Sequence, residues 1–517
     1  MKNVSWGILF LILSCIPFQK TISQYKPSPE KGDPTVYAQT ITETDLKDHL
    51  YVYASDEFEG RETGTRGQKK AVEYIKKHYE SLGIPAAKPD GDYFQKVPLQ
   101  KTSVPTGSVT INGKAFTIGE TAVCFASAEG NYDEIVFLGY GIEEGDYSDY
   151  TNVDVKNKLV LIKDGEPKND DGTYVLSSSA SASVWSNMSE AIGKKSQLAM
   201  DKGAKGVLYF DSKNYERYSQ YYSFIKNSNN HRMSLQAEAN NTLLLVLNLE
   251  AAKNLLPTIE SDDVPKGLKT DITFDIINTG YVDSENVVAV LKGSEKPNEY
   301  VVISSHLDHI GVTPDGQINN GADDDGSGSV ALLEIAQAFK KAANQGKGPK
   351  RSIIFLHVTG EEKGLLGSKY YTDYDPIFPL EQTVANLNID MIGRTDPKRE
   401  GDRNYVYLIG SDKLSTELHD LSEAINEKYM QIELDYKYND DNDPNRFYYR
   451  SDHYNFAKNN IPIIFYFNGT HEDYHKPGDT PDKINYDLLE NRTRLVFHTA
   501  WEVANRENKI IVDKPTE

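Results

Sequence analysis

Residues 300–341 read YVVISSHLDHIGVTPDGQINNGADDDGSGSVALLEIAQAFKK, and this stretch decides the fold class. Its beginning, Tyr300 to Ser304, is apolar and β-branched, which favours a buried strand. Its end, Ser327 to Lys341, carries apolar residues at helical spacing, among them Val330 and Leu333. A loop rich in glycine and aspartate joins the two. Strand, loop and amphipathic helix in this order are typical of an α/β sheet covered by helices.

The same alternation continues towards the C-terminus. Further strands are predicted at Ser352 to His357, Val384 to Ile389, Tyr405 to Ile409 and Ile461 to Phe467, and a further helix begins at Leu366. We therefore predict an α/β fold with a mostly parallel, mixed sheet sandwiched by helices. Such sheets bind ligands in loops at the carboxyl ends of their strands, so the chemistry is expected there.

The composition changes along the chain and divides residues 24–510 into three parts. Residues 24–101 are predicted to be a helical N-terminal part of the catalytic domain, which itself covers residues 281–510. Residues 102–280 show short apolar runs between long polar stretches, so we predict an inserted β-rich accessory domain there. Its predicted strands are Glu134 to Leu138, Leu159 to Ile162, Gly206 to Phe210 and Leu243 to Leu247.

Residues 1–23 have the pattern of a secretory signal. One lysine and an apolar run from Val4 to Leu13 are followed by small and polar residues. Cleavage after Thr21-Ile22-Ser23 would give a free protein, whereas Leu11 to Cys15 resembles a lipobox whose cysteine carries a lipid anchor. Both readings predict an exported protein, whether periplasmic, a cell-envelope lipoprotein or secreted. The run is shorter than the ~20 residues of a transmembrane helix, and no later segment is apolar enough.

Composition and charge exclude several classes of protein. The chain has 517 residues, of which 38% are hydrophobic and 26% charged, which is typical of globular proteins. Its 56 basic and 77 acidic residues give a net charge of −21, which argues against binding nucleic-acid backbones. The two cysteines, Cys15 and Cys124, exclude a disulfide scaffold and a cysteine-rich metal site. A metal site here must use histidine, aspartate and glutamate.

Five polar groups contain the side chains that such a site needs. They are His306-Leu307-Asp308-His309, Gly321 to Gly328, Thr359-Gly360-Glu361-Glu362, Asn388-Ile389-Asp390-Met391 and Tyr474 to Thr480. Four of the five groups follow or flank a predicted strand end. Each group alone has an ordinary explanation as a helix cap, a turn or a solvated pair of acids. Their convergence in one α/β region is what indicates a metal site.

Imidazole and carboxylate groups together suit zinc and related divalent ions. Two ions about 3.5–4 Å apart need a bridging carboxylate and terminal ligands on each side. Such a set is supplied by His306, Asp324, Glu362, Asp390 and His475.

Two more acidic residues lie beside the predicted ligands. Asp308 lies close to His306 in the chain, so its carboxylate is expected to accept the ring N–H and fix the imidazole tautomer. Glu361 precedes Glu362, so we expect it to face a water molecule as general base and to pass the proton to a leaving amine. Both are candidate catalytic residues.

These segments resemble the M28 family of zinc metallopeptidases, in the order and loop positions of its bacterial aminopeptidases. Ser451-Asp452-His453 and the stretch Glu57 to Gly64 are also similar to that family. In the inserted region, Phe137 to Ile142 and Lys158 to Ile162 resemble a protease-associated (PA) domain. The resemblance covers nearly the whole mature chain and is most specific between residues 286 and 483.

The resemblance implies an enzyme with two zinc ions that removes N-terminal residues from peptides. The roles that it implies are one zinc on His306 and Asp390, a second on Glu362 and His475, a bridge at Asp324, the general base at Glu361 and support of His306 by Asp308. The chemistry of the loop alone leaves Asp323 and Asp325 as alternatives to the bridging residue.

Other functions stay open at this point. A carboxypeptidase of the same family needs a basic pocket for the terminal carboxylate, for which Arg394, Arg446 and Arg450 are candidates. A glutaminyl cyclase shares the fold but works with one zinc, and a binding protein on this scaffold would have lost ligands or the base. For Ser451-Asp452-His453, both a role in substrate or oxyanion binding and a role in helix capping are open.

Overall fold

The computed structural model describes residues 32–101, 104–187, 190–227, 232–238, 243–261, 266–277 and 280–514. The predicted signal segment and the candidate lipid anchor at Cys15 lie outside the described residues. None of the described helices combines the length and the apolar content that a membrane crossing requires. Cys124 is buried and unpaired.

Nineteen strands are described, in two large sheets and one small one. In chain order they are β1 Phe94–Lys101, β2 Thr106–Ile111, β3 Lys114–Thr117, β4 Ala122–Cys124, β5 Ala128–Gly139, β6 Glu143–Glu144, β7 Tyr147–Ser148, β8 Leu159–Lys163, β9 Gly206–Phe210, β10 Met233–Leu235, β11 Leu243–Leu247, β12 Gly267–Ile277, β13 Tyr281–Leu291, β14 Lys296–His306, β15 Arg351–Val358, β16 Thr383–Ile389, β17 Tyr405–Ile409, β18 Glu433–Asp435 and β19 Ile463–Phe467.

Eleven α-helices are described with them. They are α1 Thr35–Ala38, α2 Glu43–Tyr53, α3 Arg66–Leu82, α4 Ala191–Asp201, α5 Tyr215–Asn227, α6 Leu249–Leu255, α7 Gly328–Asn344, α8 Leu366–Asp373, α9 Thr416–Tyr429, α10 His453–Ala457 and α11 Tyr486–Asn505.

The larger sheet has nine strands in the order β10-β1-β13-β15-β14-β16-β19-β17-β18. The four adjacent strands β15, β14, β16 and β19 run parallel. The pairs β10-β1, β1-β13, β13-β15 and β19-β17 are antiparallel and the edge pair β17-β18 is parallel, so the sheet is mixed, with the four parallel strands in its centre. Every residue of β15 and β16 is buried, as expected for central parallel strands that are covered on both faces.

Helices cover both faces of this sheet. Val301 and Ile303 point to one face, where they join a core with α2, α3, α7, α9 and α11. Val302 and Ile354 point to the opposite face, where they pack with α8 and α10. This alternation follows from the two-residue period of a strand. The predicted α/β sheet sandwiched by helices is therefore confirmed.

The second sheet has eight strands in the order β3-β2-β12-β5-β8-β9-β11-β4. It has its own core, and the strands β5, β8, β9 and β11 at its centre run parallel. This region also carries the helices α4, α5 and α6, so its content is mixed rather than purely β. One short strand from the same stretch of chain, β10, pairs with β1 in the larger sheet instead.

Candidate metal centre

The site lies where the four central parallel strands end. Because parallel strands present their carboxyl ends at one edge of a sheet, the loops after β14, β15, β16 and β19 meet there. A helical turn, Ala322–Ser327, leads into α7 beside the same edge. His306 ends β14, Glu361 and Glu362 follow β15, and Asp390 follows β16. His475 lies in the loop after β19, and Asp324 lies in the helical turn.

Asp324 lies between two groups of ligand atoms. Its Oδ1 is 3.2 Å from Nε2 of His306, and that nitrogen is 3.6 Å from Oδ1 of Asp390. Its Oδ2 is 3.0 Å from Nε2 of His475, and that nitrogen is 3.1 Å from Oε2 of Glu362. The two oxygens of one carboxylate thus face different histidines. The structure brings the five predicted ligands together around Asp324.

The donor atoms fit divalent metal ions. Ligands at ~2.0–2.1 Å from a tetrahedral zinc lie about 3.3 Å from one another. The separations between nitrogen and oxygen here run from 3.0 to 3.6 Å. Among the described residues, Nε2 of His306 and Oδ2 of Asp324 are buried without a hydrogen-bond partner. Orphaned polar atoms in a buried site are costly unless an ion or water satisfies them.

The charges of the site also favour the binding of a metal cation. Burial lowers the pKa of His306, but nearby carboxylates, Asp390 foremost, outweigh it, so the pKa is raised well above the ordinary value. Burial also lowers the pKa of His475, while its close contacts with the carboxylates of Asp324 and Glu362 raise it to about 10. The carboxylates of the site therefore raise the pKa of both histidines. A metal cation would satisfy the same excess of negative charge.

Glu361 faces an open cavity of about 350 Å³ that Asp324, Asp390 and His475 also line. Its side chain therefore reaches the space in which a substrate would meet the ligand cluster. Burial raises the pKa of Glu361 well above its ordinary value, although His306 opposes the shift. A carboxyl group with a raised pKa in a cavity is suited to proton transfer.

The carboxylate of Asp308 was expected to accept the ring N–H of His306, but the structure gives it other partners. Nδ1 of His306 is 3.1 Å from the backbone oxygen of Asp308 and 4.0 Å from its carboxylate. The carboxylate instead accepts the backbone N–H of Glu361 at 3.2 Å and the hydroxyl of Thr63 at 2.7 Å. The backbone carbonyl therefore replaces the carboxylate as partner of the ring, because the carboxylate is already occupied. Asp308 positions the loop that carries Glu361.

Ser451 contacts a predicted ligand directly. Its hydroxyl donates to Oδ2 of Asp390 at 2.6 Å and accepts from Nδ2 of Asn388 at 2.9 Å. Asp452 accepts from the hydroxyl of Ser368 at 2.5 Å and makes no capping bond to α10. The capping explanation of this segment is therefore not what the structure shows. Ser451 orients Asp390.

Asp325, which the loop chemistry left as an alternative bridging residue, and Asp479 are buried aspartates that hold the ligand loops. The carboxylate of Asp325 accepts backbone N–H groups from three site segments, at His306, Gly328 and Met391. The carboxylate of Asp479 accepts the N–H groups of Asp323 and Asp324. Such bonds depend on the path of the backbone, which a sequence motif does not specify. Their only signal in the sequence is an acidic residue inside each ligand segment.

His309 is another residue without a sequence-based role. Its Nδ1 is 2.9 Å from Oε1 of Glu362 and 3.8 Å from Oδ2 of Asp324. Gly321 allows this approach, because a Cβ there would lie 2.6 Å from the His309 ring. The ring is fully buried and holds the second oxygen of a predicted ligand. A second histidine in the segment that begins at His306 was the available signal.

The N-terminal segment reinforces the same loops. Arg61 is fully buried and donates to the backbone oxygens of Leu307, Asn320 and Gly321. These oxygens belong to the loops that carry His306 and Asp324. Arg61 therefore clamps two ligand loops together from outside the sheet. This gives a physical role to the stretch from residue 57 to residue 64.

The geometry can be compared with known proteins. A profile of peptidase family M28 matches residues 286–500. A probable leucine aminopeptidase 2 of Aspergillus oryzae is 24% identical over 93% of this chain and 87% of its own length. The aminopeptidase YwaD of Bacillus subtilis is 26% identical over 44% of this chain and 46% of its own length. A probable glutamate carboxypeptidase of Arabidopsis thaliana is 33% identical over 22% of this chain and 17% of its own length.

This chain thus spans less than half the length of two of these three relatives. Among solved structures, a zinc aminopeptidase from Bacillus subtilis is 19% identical with a TM-score of 0.46. That alignment covers 92% of this chain and 99% of the other.

Proposed function

We propose, from the premise that residues 286–500 belong to peptidase family M28, that this chain is a dinuclear zinc aminopeptidase. The observation that carries the proposal is the placement of Asp324, whose two oxygens face His306 and His475 on opposite sides. Two of the relatives bear the name aminopeptidase, which supports the same activity here. The substrates are peptides with a free N-terminus.

The residues divide into two metal positions that share Asp324. His306 and Asp390 would hold one ion, and Glu362 and His475 would hold the other. Zinc ions bound there would supply Lewis-acid polarisation to the scissile carbonyl and to the attacking water.

The protein's own groups move the proton. Glu361 lines the cavity beside both metal positions, so it accepts the proton of the attacking water and donates it to the leaving amine. Asp308 holds the backbone N–H of Glu361, and this bond keeps the base at the cavity wall. Ser451 keeps one oxygen of Asp390 away from the metal side.

The same charges favour substrates with a free amine. Of the acidic residues in the cavity wall, Glu361 is not assigned to a metal, so its carboxylate is available to attract the ammonium group of a peptide N-terminus. A blocked N-terminus lacks this attraction. Selection of the amino end is therefore attributed to Glu361.

A carboxypeptidase of the same family is the second candidate. Arg450 lines the same cavity and could receive a terminal carboxylate. The carboxypeptidase name of the Arabidopsis relative supports this reading over a short part of the chain. The aminopeptidase is favoured because the Aspergillus relative of that name matches 93% of this chain, whereas the carboxypeptidase relative matches 22%.

The test is hydrolysis of aminoacyl p-nitroanilides with and without a chelator, beside an N-acetylated peptide. We expect chelator-sensitive release from the free-amine substrates and no cleavage of the acetylated peptide. Cleavage at the carboxyl end of the acetylated peptide would move the protein to the carboxypeptidase branch. No cleavage of either would contradict both peptidase candidates.

We also infer that the protein is exported, since residues 1–23 have the pattern of a signal and Cys15 that of a lipid-anchored cysteine. The eight-stranded sheet is proposed to be a PA-like accessory domain. Mass spectrometry of the mature N-terminus from fractionated cells tests the export: a lipid on Cys15 or a start near residue 24 supports it, and an intact Met1 contradicts it.

A further inference from the structure

Arg450 is a cation beside the reacting groups of the cavity. It follows a short helical turn, Phe447–Tyr449, and lines the cavity that Glu361 and His475 also line. The rest of the wall is mixed: it contains the carboxylates of Asp324 and Asp390, and a group of aromatic rings from Phe447, Phe465 and Phe467. Among the lining residues that the structure describes, Arg450 is the sole lysine or arginine. A cation in this position has no role in the proton transfer or in metal binding.

The position of the Arg450 guanidinium is defined by two neighbours. It lies over the ring of Phe447 at 4.9 Å from the centroid. One of its nitrogens, Nη2, donates to the hydroxyl of Tyr474 at 3.3 Å. The Tyr474 ring in turn stacks on His475, with centroids 3.9 Å apart. The cation is therefore separated from a predicted metal ligand by a single aromatic ring.

The charge of Arg450 has no carboxylate partner within the described part of the chain. Other cations near the site are already paired: Arg394 with Asp473 at 3.2 Å, and Lys363 with Glu62 at 3.0 Å. Most N–H donors of the Arg450 guanidinium are thus available to a ligand. A planar guanidinium matches a carboxylate through two parallel hydrogen bonds.

We propose that Arg450 binds a carboxylate of the substrate and so makes the enzyme selective for peptides that carry an anionic group close to the scissile bond. This inference rests on the proposed peptidase function. The carboxylate has two possible sources: the side chain of an aspartate or glutamate, or the free C-terminus of a very short peptide. An aromatic wall next to the cation accommodates the apolar part of either ligand.

The experiment compares pairs of substrates that differ only in the anionic group. Glutamyl against glutaminyl p-nitroanilide reports on an acidic side chain, and Leu-Gly against Leu-Gly-amide reports on a C-terminal carboxylate. The measured quantity is the ratio of kcat/KM within each pair, for the zinc-loaded wild type and for variants. Zinc content and melting temperature are measured alongside, so that a misfolded variant is recognised.

We expect at least one pair to show a ratio of about ten or more in the wild type, because a charge-assisted bidentate contact discriminates by about that factor. The pair that shows it identifies the source. In Arg450→Met this ratio is expected to fall close to one, and in Arg450→Lys to an intermediate value, because lysine keeps the charge but not the planar fork.

Arg446→Met is the matched control. Arg446 lies over the ring of Tyr449 at 4.7 Å and lines a different cavity with Asp440 and Asp441. This variant should keep the wild-type ratio in both pairs. A loss of the ratio in this control equal to that in Arg450→Met would contradict the assignment.

The inference and the proposed function can fail separately. Chelator-sensitive hydrolysis with ratios near one in both pairs, or a wild-type ratio that survives in Arg450→Met, would overturn the role of Arg450 alone. Absence of hydrolysis of all four substrates by zinc-loaded enzyme would overturn the proposed function itself.

Discussion

Both large sheets of this protein end their parallel strands in polar loops, but the two edges differ in how their polar groups are satisfied. At the edge of the eight-stranded sheet, Lys195 is fully buried and donates to the backbone oxygens of Lys163 and Gly165. Among the described residues at the edge of the nine-stranded sheet, buried nitrogens of His306 and His309 have no hydrogen-bond partner.

The difference separates buried charged groups that stabilise the fold from those that are available to bind a ligand. Carboxylates of the accessory edge are covered by local donors, as in Glu166 with Ser183 and Ser186. In the ligand cluster, by contrast, several carboxylates lie together with histidines. Nε2 of His306 and Nε2 of His475 face the two oxygens of the same carboxylate, that of Asp324. A group satisfied inside the protein contributes to stability, whereas a convergent unsatisfied set needs a ligand. The predictions that follow separate these two cases.

The largest expected effect is that of Glu361→Gln. The amide cannot accept the proton of the attacking water, so kcat should fall by about 10²–10⁴-fold while zinc content stays unchanged. Steady-state kinetics and elemental analysis measure the two quantities. Glu490→Gln, whose parent carboxylate pairs with Arg494 along α11, should keep its rate. A Glu361→Gln enzyme as active as the parent would show that another group is the base.

Loss of metal is expected for Asp324→Ala. Because this carboxylate faces both histidines, its removal should lower zinc content at both positions after dialysis. Elemental analysis of the dialysed protein is the measurement. Asp315→Asn, at an exposed turn, is the control and should retain its zinc. Unchanged zinc content in Asp324→Ala would remove the bridging role.

A smaller effect is expected for Ser451→Ala, which removes the hydrogen bond to Asp390. Loss of such a supporting bond typically lowers metal affinity 10–100-fold. Competition with a chromophoric chelator measures the affinity. Ser411→Ala is the matched control, since this buried serine bonds His419 away from the site. Equal affinities in the two variants would contradict the supporting role.

The smallest effect on activity is expected at the accessory edge, for Lys195→Met. The variant leaves two carbonyls unsatisfied, which should lower the free energy of unfolding by about 1–3 kcal/mol. Its zinc content and kcat should match the wild type. Denaturant titration, elemental analysis and kinetics check these outcomes. A selective loss of zinc would show that the two edges are not independent.

The difference in unfolding free energy between the wild type and Lys195→Met is expected to depend on pH. Burial lowers the pKa of Lys195 to about 8 from 10.5, so between these values the unfolded chain binds a proton that the folded chain has released. The unfolding free energy of the wild type relative to Lys195→Met should therefore rise from pH 8 to pH 10.5, by up to ~3 kcal/mol. A difference that stays flat or falls over this range would contradict the buried, neutral lysine.

Much of this arrangement could be predicted from the sequence. Gly206–Phe210 and Tyr405–Ile409 form strands with the predicted bounds, because each is a continuous apolar run between polar residues. The ligands could be located for the same reason, since each predicted strand end marks the loop that follows it. The sheet sandwiched by helices followed from the alternation of strand and helix.

Other features depend on contacts that no local pattern encodes. The strand Met233–Leu235 joins the nine-stranded sheet through pairing with Leu99 and its neighbours, far away in sequence. The roles of Asp325 and Asp479 depend on backbone N–H groups that only the folded loops present. The carboxylate of Asp308 was assigned to the ring of His306, although the nearer carbonyl accepts that N–H. These are properties of loop paths rather than of residue types.

The measurement that tests the central claim most directly is anomalous X-ray diffraction at the zinc edge from crystals of the zinc-loaded protein. We predict two peaks about 3.5–4 Å apart. One should lie between His306 and Asp390, the other between Glu362 and His475, with Asp324 touching both. A single peak, or peaks away from Asp324, would contradict the two-metal site.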